Sequence, residues 1–136
     1  MPAITSHQAE ARFLDVVLPE QASHCGTLHG ADALHLMGKS AFACAARHAR
    51  CAVVMAKADS IELIRPIRIG TTIDIRARVV FQGRSSMTVA VEIAPDSPGA
   101  QGSAPCITGR FLMVAVDGAG APIPIPHSHR TEEVRS

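Results

Sequence analysis

The sequence predicts an α+β fold in which a curved antiparallel sheet of about five or six strands wraps one long central helix. Two patterns support this prediction. Apolar residues recur at steps of three and four between residues 30 and 49, the spacing of one helical face, and the flanking segments alternate in polarity as strands do. Because short turns join the strands after the helix, we expect them to be antiparallel, with the helix buried against them.

The elements follow in the order strand, helix and four strands. The helix, from Gly30 to about Ala49, contains no proline and many small residues, so a sheet can approach it closely. The segment 71–81 places Ile73 and Phe81 on one dry face, and 107–116, apolar on both faces, is typical of a central strand. The predicted strands span residues 11–18, 52–64, 71–81, 86–93 and 107–116.

Length and composition indicate one domain over residues 1–136, with its core at about 11–117. Of the 136 residues, 47% are hydrophobic, which is enough for a core. The proline-rich tail, 121–136, is expected to fray. A net charge of +1 and 3% aromatic residues argue against nucleic-acid binding. The absence of a leader-like start or a long apolar run predicts a cytoplasmic protein that does not bind membranes.

Three stretches carry a resemblance to a known family. They are LPEQASHCGTLHGADALHLMG at 18–38, VVMAKADSIELIRPIRIG at 53–70 and GRSS at 83–86. Together they resemble the hotdog fold and, within it, the acyl-CoA thioesterases of the YciA and brain acyl-CoA hydrolase type. The resemblance covers roughly residues 12–126. It implies hydrolysis of fatty acyl-CoA to free acid and CoA, in a homodimer that often forms a trimer of dimers, with active sites between subunits. No cofactor is implied, because coenzyme A is part of the substrate.

The start of the helix is the predicted site of the thioester carbonyl. Backbone N–H groups in the first turn of a helix lack partners within the helix, and the helix dipole adds positive potential. Gly30 and Ala31 occupy this turn, and a glycine lets a substrate come close. Alternatively, Gly30 could simply permit a tight turn into the helix, without a role in binding. The resemblance favours the functional reading.

The chain departs from the family at two positions. Gly38 stands where the family usually carries a catalytic aspartate, and Ser23 where it carries an asparagine. Gly38 could leave space for ligand or mark lost activity. His35, on the same helical face, is a candidate general base, although a histidine there could equally be a surface residue. Asp32 faces elsewhere and is expected to stabilise the helix dipole.

Other polar residues are candidates for binding. His24 and His29 flank the loop glycine and could hydrogen-bond the substrate. Asp59 could approach the helix of a partner subunit as a base, or could simply pair with Lys57. The resemblance favours a turn as the binding site for coenzyme A; its residues are Arg84, Ser85 and Ser86. The guanidinium and the two hydroxyls of this turn can hydrogen-bond a phosphate group.

Several alternatives stay open at this point. Arg65 and Arg68 are weaker candidates for contacts with the nucleotide. The chain could be a catalytically silent acyl-CoA-binding homologue, or another thioester enzyme such as an enoyl-CoA hydratase. The four cysteines show no CxxC and are expected to be reduced thiols. A metal site is the less favoured rival, since neither cluster of soft ligands has standard spacing; the clusters are His24, Cys25 and His29, and Cys44, His48 and Cys51.

Overall fold

The computed structural model describes residues 10–96 and 104–126, which form one α-helix and five strands. A short 3-10 helix, Pro19–Gln21, lies in the loop before the long helix. The strands and the helix are β1 (Glu10–Val16), α1 (Gly30–Ala49), β2 (Val53–Leu63), β3 (Thr72–Gln82), β4 (Ser86–Pro95) and β5 (Ile107–Ala115).

The strands form a single sheet in the order β1-β3-β4-β5-β2, and every neighbouring pair is antiparallel. This confirms the predicted fold class. One detail differs from the prediction, because β2 pairs with β5 and not with β3, its successor in sequence. The connection between β2 and β3 therefore crosses the sheet, and β2 becomes an edge strand.

Helix α1 packs on one face of this sheet. Most residues of its buried side are small, with Leu36 and Met37 as the large exceptions, and Ala41 and Ala45 are fully inaccessible. The facing strand residues are larger, among them Ile73, Val89 and Phe111. This pairing of small helix residues with large strand residues fills the core despite the low aromatic content. The helix ends at Arg50, which adopts a left-handed conformation with φ 58°.

Two predicted faces differ from the observed ones. Phe81 was expected beside Ile73 in the core, but a register shift between Val79 and Phe81 turns it outward, and it is 58% exposed. Strand β5 is central, as predicted, yet only one of its faces is fully covered. Arg110 is exposed on the other face, and the remaining outward residues are half-buried.

The first part of the predicted tail is held against the sheet. Ile123 donates a backbone hydrogen bond to Ala115, and Ile125, which is buried, donates one to Arg84. The predicted fraying is therefore wrong for residues 121–126, because backbone hydrogen bonds and a buried apolar side chain hold them against the sheet. Residues 127–136 lie outside the described part of the chain. In the described residues, 10–96 and 104–126, the structure shows no helix that could span a membrane.

Candidate active site

The loop before α1 is held by its own hydrogen bonds. Ser23 donates its backbone N–H to Thr27 and accepts backbone bonds from Gly26 and, through its hydroxyl, from Cys25. Gly26 has φ +79°, a conformation that favours glycine. Ile69 donates to the carbonyl of Gly26 and so ties the loop to the segment before β3. The side chain of Ser23, a predicted substrate ligand, thus contributes to the turn itself.

The first turn of α1 is capped by His29. Its ring nitrogen Nδ1 accepts a hydrogen bond of 3.1 Å from the backbone N–H of Ala31. The predicted role of Ala31 as an open donor is therefore not what this conformation shows. Among the residues the structure describes, the N–H groups of Gly30 and Asp32 have no protein acceptor. These two amides can therefore donate hydrogen bonds to an oxygen of a ligand, and the helix dipole adds a favourable potential there.

The surface beside Gly30 is open. A Cβ added to Gly30 would meet only Leu63, at an ordinary contact distance of 3.8 Å. The protein therefore does not need a glycine there to avoid its own atoms, and Gly30 does not have a left-handed conformation. The missing side chain leaves the approach to the amide clear for a ligand.

A groove runs along α1 from this open start. Its volume is about 520 Å³, and most of its lining is apolar. We call it the helix groove; its residues are Ala31, Leu34, His35, Gly38, Lys39 and Phe42 from α1 and Met55 from β2. The structure thus brings three of the predicted site residues, Ala31, His35 and Gly38, to one face of α1, as their helical spacing indicated. Asp32 is not among them, in agreement with its predicted orientation.

Gly38 lies in the middle of the helix groove, against β2. A Cβ added to Gly38 would lie 3.2 Å from the terminal methyl of Met55. The sequence left open a space for ligand at this glycine; in the structure the end of the Met55 side chain lies beside that space. The sequence alone did not reveal Met55, because its position depends on the pairing of β2 with β5 and on a register shift just after it.

Asp59 does not reach the helix groove of its own subunit. Its carboxylate lies 3.5 Å from the Lys57 ammonium, and both side chains are at least half exposed. This is the structural alternative that the sequence left open. Asp59 lies near the middle of β2, on the free edge of the sheet.

The predicted coenzyme A turn lies at the other end of α1. Its neighbour Gln82 hydrogen-bonds His48 in the last helical turn, at 2.8 Å. A helix of 20 residues is roughly 30 Å long, so one subunit does not bring Arg84 near Gly30. Ser85 accepts a backbone bond from Ala115, and Ser86 accepts one from Gly83, as in a compact hairpin.

The two weaker arginine candidates lie in different surroundings. Arg65 donates to the carbonyls of Ala104 and Pro105 and is held by that loop. Arg68 is exposed and forms an isolated β-bridge with Thr27, in the loop before α1. Within one subunit, Arg68 is therefore closer to the start of α1 than Arg84 is.

Neither predicted cluster of soft ligands forms a metal site in the described residues. Across residues 10–96 and 104–126, no three side chains of His, Cys, Asp or Glu lie together as a metal site would require. Cys25 is exposed on the loop, whereas Cys44 is buried against the sheet. Burial raises the pKa of the Cys44 thiol to about 11, so it is a poor ligand and a poor nucleophile at neutral pH.

The chain belongs to the thioesterase superfamily, whose model matches residues 25–100, more than half of its length. An uncharacterised acyl-CoA thioester hydrolase of Zymomonas mobilis is 30% identical over 116 residues, which cover 85% of this chain and 78% of the relative. An acyl-CoA hydrolase of Staphylococcus aureus, solved with butyryl coenzyme A and coenzyme A, superposes with a TM-score of 0.83 at 27% identity, covering 88% of this chain and 73% of that one. The hotdog fold is thereby confirmed.

Two further features of the solved structures bear on this site. A hexameric acyl-CoA thioesterase superposes with a TM-score of 0.82 at 27% identity, over 92% of this chain and 80% of that one. Variants of the S. aureus hydrolase carry alanine for an asparagine, an aspartate and a threonine, which lie 15 and then 17 residues apart. The same spacings separate Ser23, Gly38 and Met55 in this chain.

Proposed function

We propose that this protein hydrolyses the thioester of fatty acyl-CoA, releasing the free acid and coenzyme A. The observation that carries this proposal is the unblocked amide of Gly30, the residue before Ala31 at the start of the helix groove, in a member of the thioesterase superfamily. An amide donor at a helix start favours an oxygen that gains negative charge, and an apolar groove suits an acyl chain. Membership of an enzyme family with these named relatives supports hydrolysis as the reaction.

The reaction can be written with residues of the groove. The thioester oxygen accepts a hydrogen bond from the N–H of Gly30, and water attacks the carbonyl carbon to form a tetrahedral intermediate. His35 accepts the proton of that water as general base. When the C–S bond breaks, the electron pair leaves with sulfur as the coenzyme A thiolate. His35 is exposed, and within the helix groove it lies between Ala31 and Gly38 in sequence.

We further propose that Ser23, Gly38 and Met55 occupy the positions of the asparagine, aspartate and threonine that were replaced in the S. aureus hydrolase. The identical spacings support this correspondence, and so does the contact between position 38 and Met55. The groove would then lack its usual carboxylate. This specific loss also favours a second function, a catalytically silent homologue that binds acyl-CoA.

The complete site is proposed to form between two subunits that pair along β2. Every residue from Val54 to Ser60 is exposed on this edge strand, which offers free backbone groups to a second copy. Antiparallel pairing about a two-fold axis would place the start of one β2 beside the end of the other. Leu63 lies near Gly30, whereas Val53 pairs with Ala115, which binds Ser85.

The partner's coenzyme A turn would thus approach the start of α1, where Arg68 of the first subunit is already exposed. We infer that the partner's Arg84, or Arg68, meets the phosphates of coenzyme A. Trimers of such dimers would give the hexamer seen in a related thioesterase.

The test is release of free thiol from acyl-CoAs of two to sixteen carbons, with coenzyme A binding measured by calorimetry in parallel. We expect turnover by the native protein and a loss of about 10²-fold or more in kcat for His35→Ala. Arg78→Ala, an exposed change on the opposite sheet face, is the control and should keep full activity. Binding without turnover would contradict hydrolysis and establish the silent homologue.

A gain of function tests the proposed loss of the carboxylate. The double variant Gly38→Asp, Met55→Thr restores both polar groups and removes the methyl that crowds position 38. We expect kcat to rise above that of the native protein. No rise in a folded variant that still binds coenzyme A would contradict the proposed correspondence.

A further inference from the structure

The apolar wall of the helix groove opposite Gly38 is formed by a single flexible side chain. Met55 comes from edge strand β2, is 45% exposed, and ends with its methyl 3.2 Å from where a Cβ of residue 38 would be. In effect, the thioether fills the space that a side chain at position 38 would take. Methionine has three rotatable bonds and adapts to irregular spaces, so this wall can move without the backbone.

The local backbone explains why Met55 points into the groove. Met55 pairs with Met113, a buried residue on the core face of β5, and directly opposed residues share a sheet face. The pairing then shifts between Met55 and Lys57. Such irregularities re-aim side chains and are frequent beside active sites. Val54, the preceding residue, points to the other face and has a similar exposure of 47%.

The position and length of the helix groove indicate which part of an acyl-CoA it can hold. It starts at Ala31, beside the open amide of Gly30, and continues to Phe42. The eleven residue-to-residue steps from Ala31 to Phe42 cover roughly 16 Å along the helix, a length that suits an acyl group of medium length. An apolar groove that begins beside the proposed carbonyl site fits the acyl chain rather than the polar coenzyme A end.

We propose that Met55 is a specificity-determining residue, whose side chain fills the place left by Gly38 and sets the length of the acyl group that the helix groove accepts. This inference rests on the proposed function, since it concerns the same site. A larger residue at position 38 would push the methyl of Met55 into the groove and shorten it. A smaller residue at position 55 would lengthen it.

The test measures binding of S-alkyl coenzyme A thioethers, which cannot be hydrolysed, with chains of two to sixteen carbons. Each additional methylene that becomes buried should lower Kd about fourfold, until the chain meets Met55 and the gain stops. In Met55→Ala the gain should continue for about three more carbons, because three heavy atoms are removed, so the longer thioethers bind at least about tenfold tighter. In Gly38→Ala, which displaces the methyl of Met55 by only a few tenths of an ångström, the gain should stop at the native chain length or one carbon earlier.

The control is Val54→Ala, which removes a side chain of similar exposure from the same strand but from the other sheet face. It should leave the chain-length profile of the native protein unchanged. The double variant Gly38→Ala, Met55→Ala should behave like Met55→Ala alone, because the added Cβ then has nothing to displace.

Two results would overturn the inference: a chain-length profile unchanged in Met55→Ala, and an equal change in Kd at every chain length. If the unchanged profile is accompanied by dissociation of the assembly, a second copy, and not an acyl chain, covers the groove. A native protein that binds the thioethers with the expected profile but hydrolyses no acyl-CoA would contradict the proposed function and leave the role of Met55 in place.

Discussion

His29 fixes the first turn of α1 through a ring nitrogen, an unusual way to satisfy one of the amides that every helix start leaves unpaired. Serine, threonine, asparagine and aspartate are the common caps. A neutral imidazole can accept one such bond through its unprotonated nitrogen, whereas a protonated ring cannot. The sequence predicts His29 to be a substrate ligand because it flanks the loop glycine Gly26; its role as a helix cap follows only from the geometry of the first turn.

Removing this cap should destabilise the protein. We expect His29→Ala to lower the free energy of unfolding by about 1 kcal/mol, since the N–H of Ala31 then loses its acceptor. His29→Asn, which can accept the same bond, should recover most of the loss. Urea unfolding at neutral pH measures both changes. Equal destabilisation by alanine and asparagine would show that the ring itself, and not the hydrogen bond, is what matters.

Asp74 is a buried carboxylate on the outer side of the sheet, and we expect it to contribute to the pH dependence of stability. Burial alone would raise its pKa, but hydrogen bonds and charge from Arg12 and then Arg76, at 2.9 and 3.2 Å, outweigh burial and hold the pKa of Asp74 below its usual value. A carboxyl whose pKa is lower in the folded state stabilises that state above its unfolded pKa, near 3.9. This contribution is lost as the pH falls through the lower, folded value.

The variant Asp74→Asn should therefore lower the free energy of unfolding at pH 7 by about 1–2 kcal/mol, since both guanidinium groups are partly solvated. The difference from the native protein should shrink as the pH falls below about 4. Urea unfolding at pH 7, 4 and 3 measures the trend. Asp59→Asn, which removes an exposed partner of Lys57, should have little effect at any of these pH values. A difference that stays constant down to pH 3 would exclude the ion pairs as its cause.

At the level of elements, Gly38 lowers the intrinsic stability of α1 near the middle of the helix. A glycine in a helix interior is less favourable than alanine by about 0.5–1 kcal/mol. The neighbour that an added Cβ would crowd is the exposed, flexible end of Met55, which can move by a few tenths of an ångström. The groove therefore keeps its width at the expense of helix stability.

Gly38→Ala should raise the free energy of unfolding by about 0.5–1 kcal/mol. Calorimetric Tm values of the native protein and the variant test this directly. The contrasting change is Gly109→Ala, where a Cβ would collide with Ile61 and crowd Met37 in the core, so the Tm should fall. A lower Tm for Gly38→Ala as well would mean that Met55 cannot move aside.

At the level of the whole molecule, much of the fold could be predicted from the sequence. The helical period over residues 30–49 and the alternation within the strands follow from local patterning, and these elements were found with bounds shifted by about two residues or fewer. Pairing was harder. The partnership of β2 with β5 and the register shift that exposes Phe81 depend on tertiary contacts, which no local pattern encodes.

For the candidate site too, some features could be predicted from local spacing and others depend on tertiary contacts. Residues that share a helical face, such as Ala31, His35 and Gly38, could be grouped from spacing alone. The cap at His29 and the wall at Met55 could not, since both depend on geometry between elements. The separation of Arg84 from Gly30 could not be predicted either, because it depends on which end of α1 the β3–β4 hairpin reaches.

The exposed edge of β2 predicts self-association. We expect sedimentation of the native protein at micromolar concentration to show a dimer or a multiple of dimers. Ala58→Lys places like charges opposite each other at the middle of the proposed pairing and should shift the equilibrium towards monomer by at least about tenfold. Ala119→Lys, a matched change in an exposed turn, should not. A native protein that sediments as a monomer would contradict pairing through β2.

The most direct test of the binding site is a crystal structure of the native protein with an S-alkyl coenzyme A thioether of medium chain length. We predict that the sulfur lies beside the N–H of Gly30, that the alkyl chain follows the helix groove toward Phe42, and that Met55 contacts it. A ligand seated elsewhere on the molecule, or a chain directed away from α1, would contradict the account.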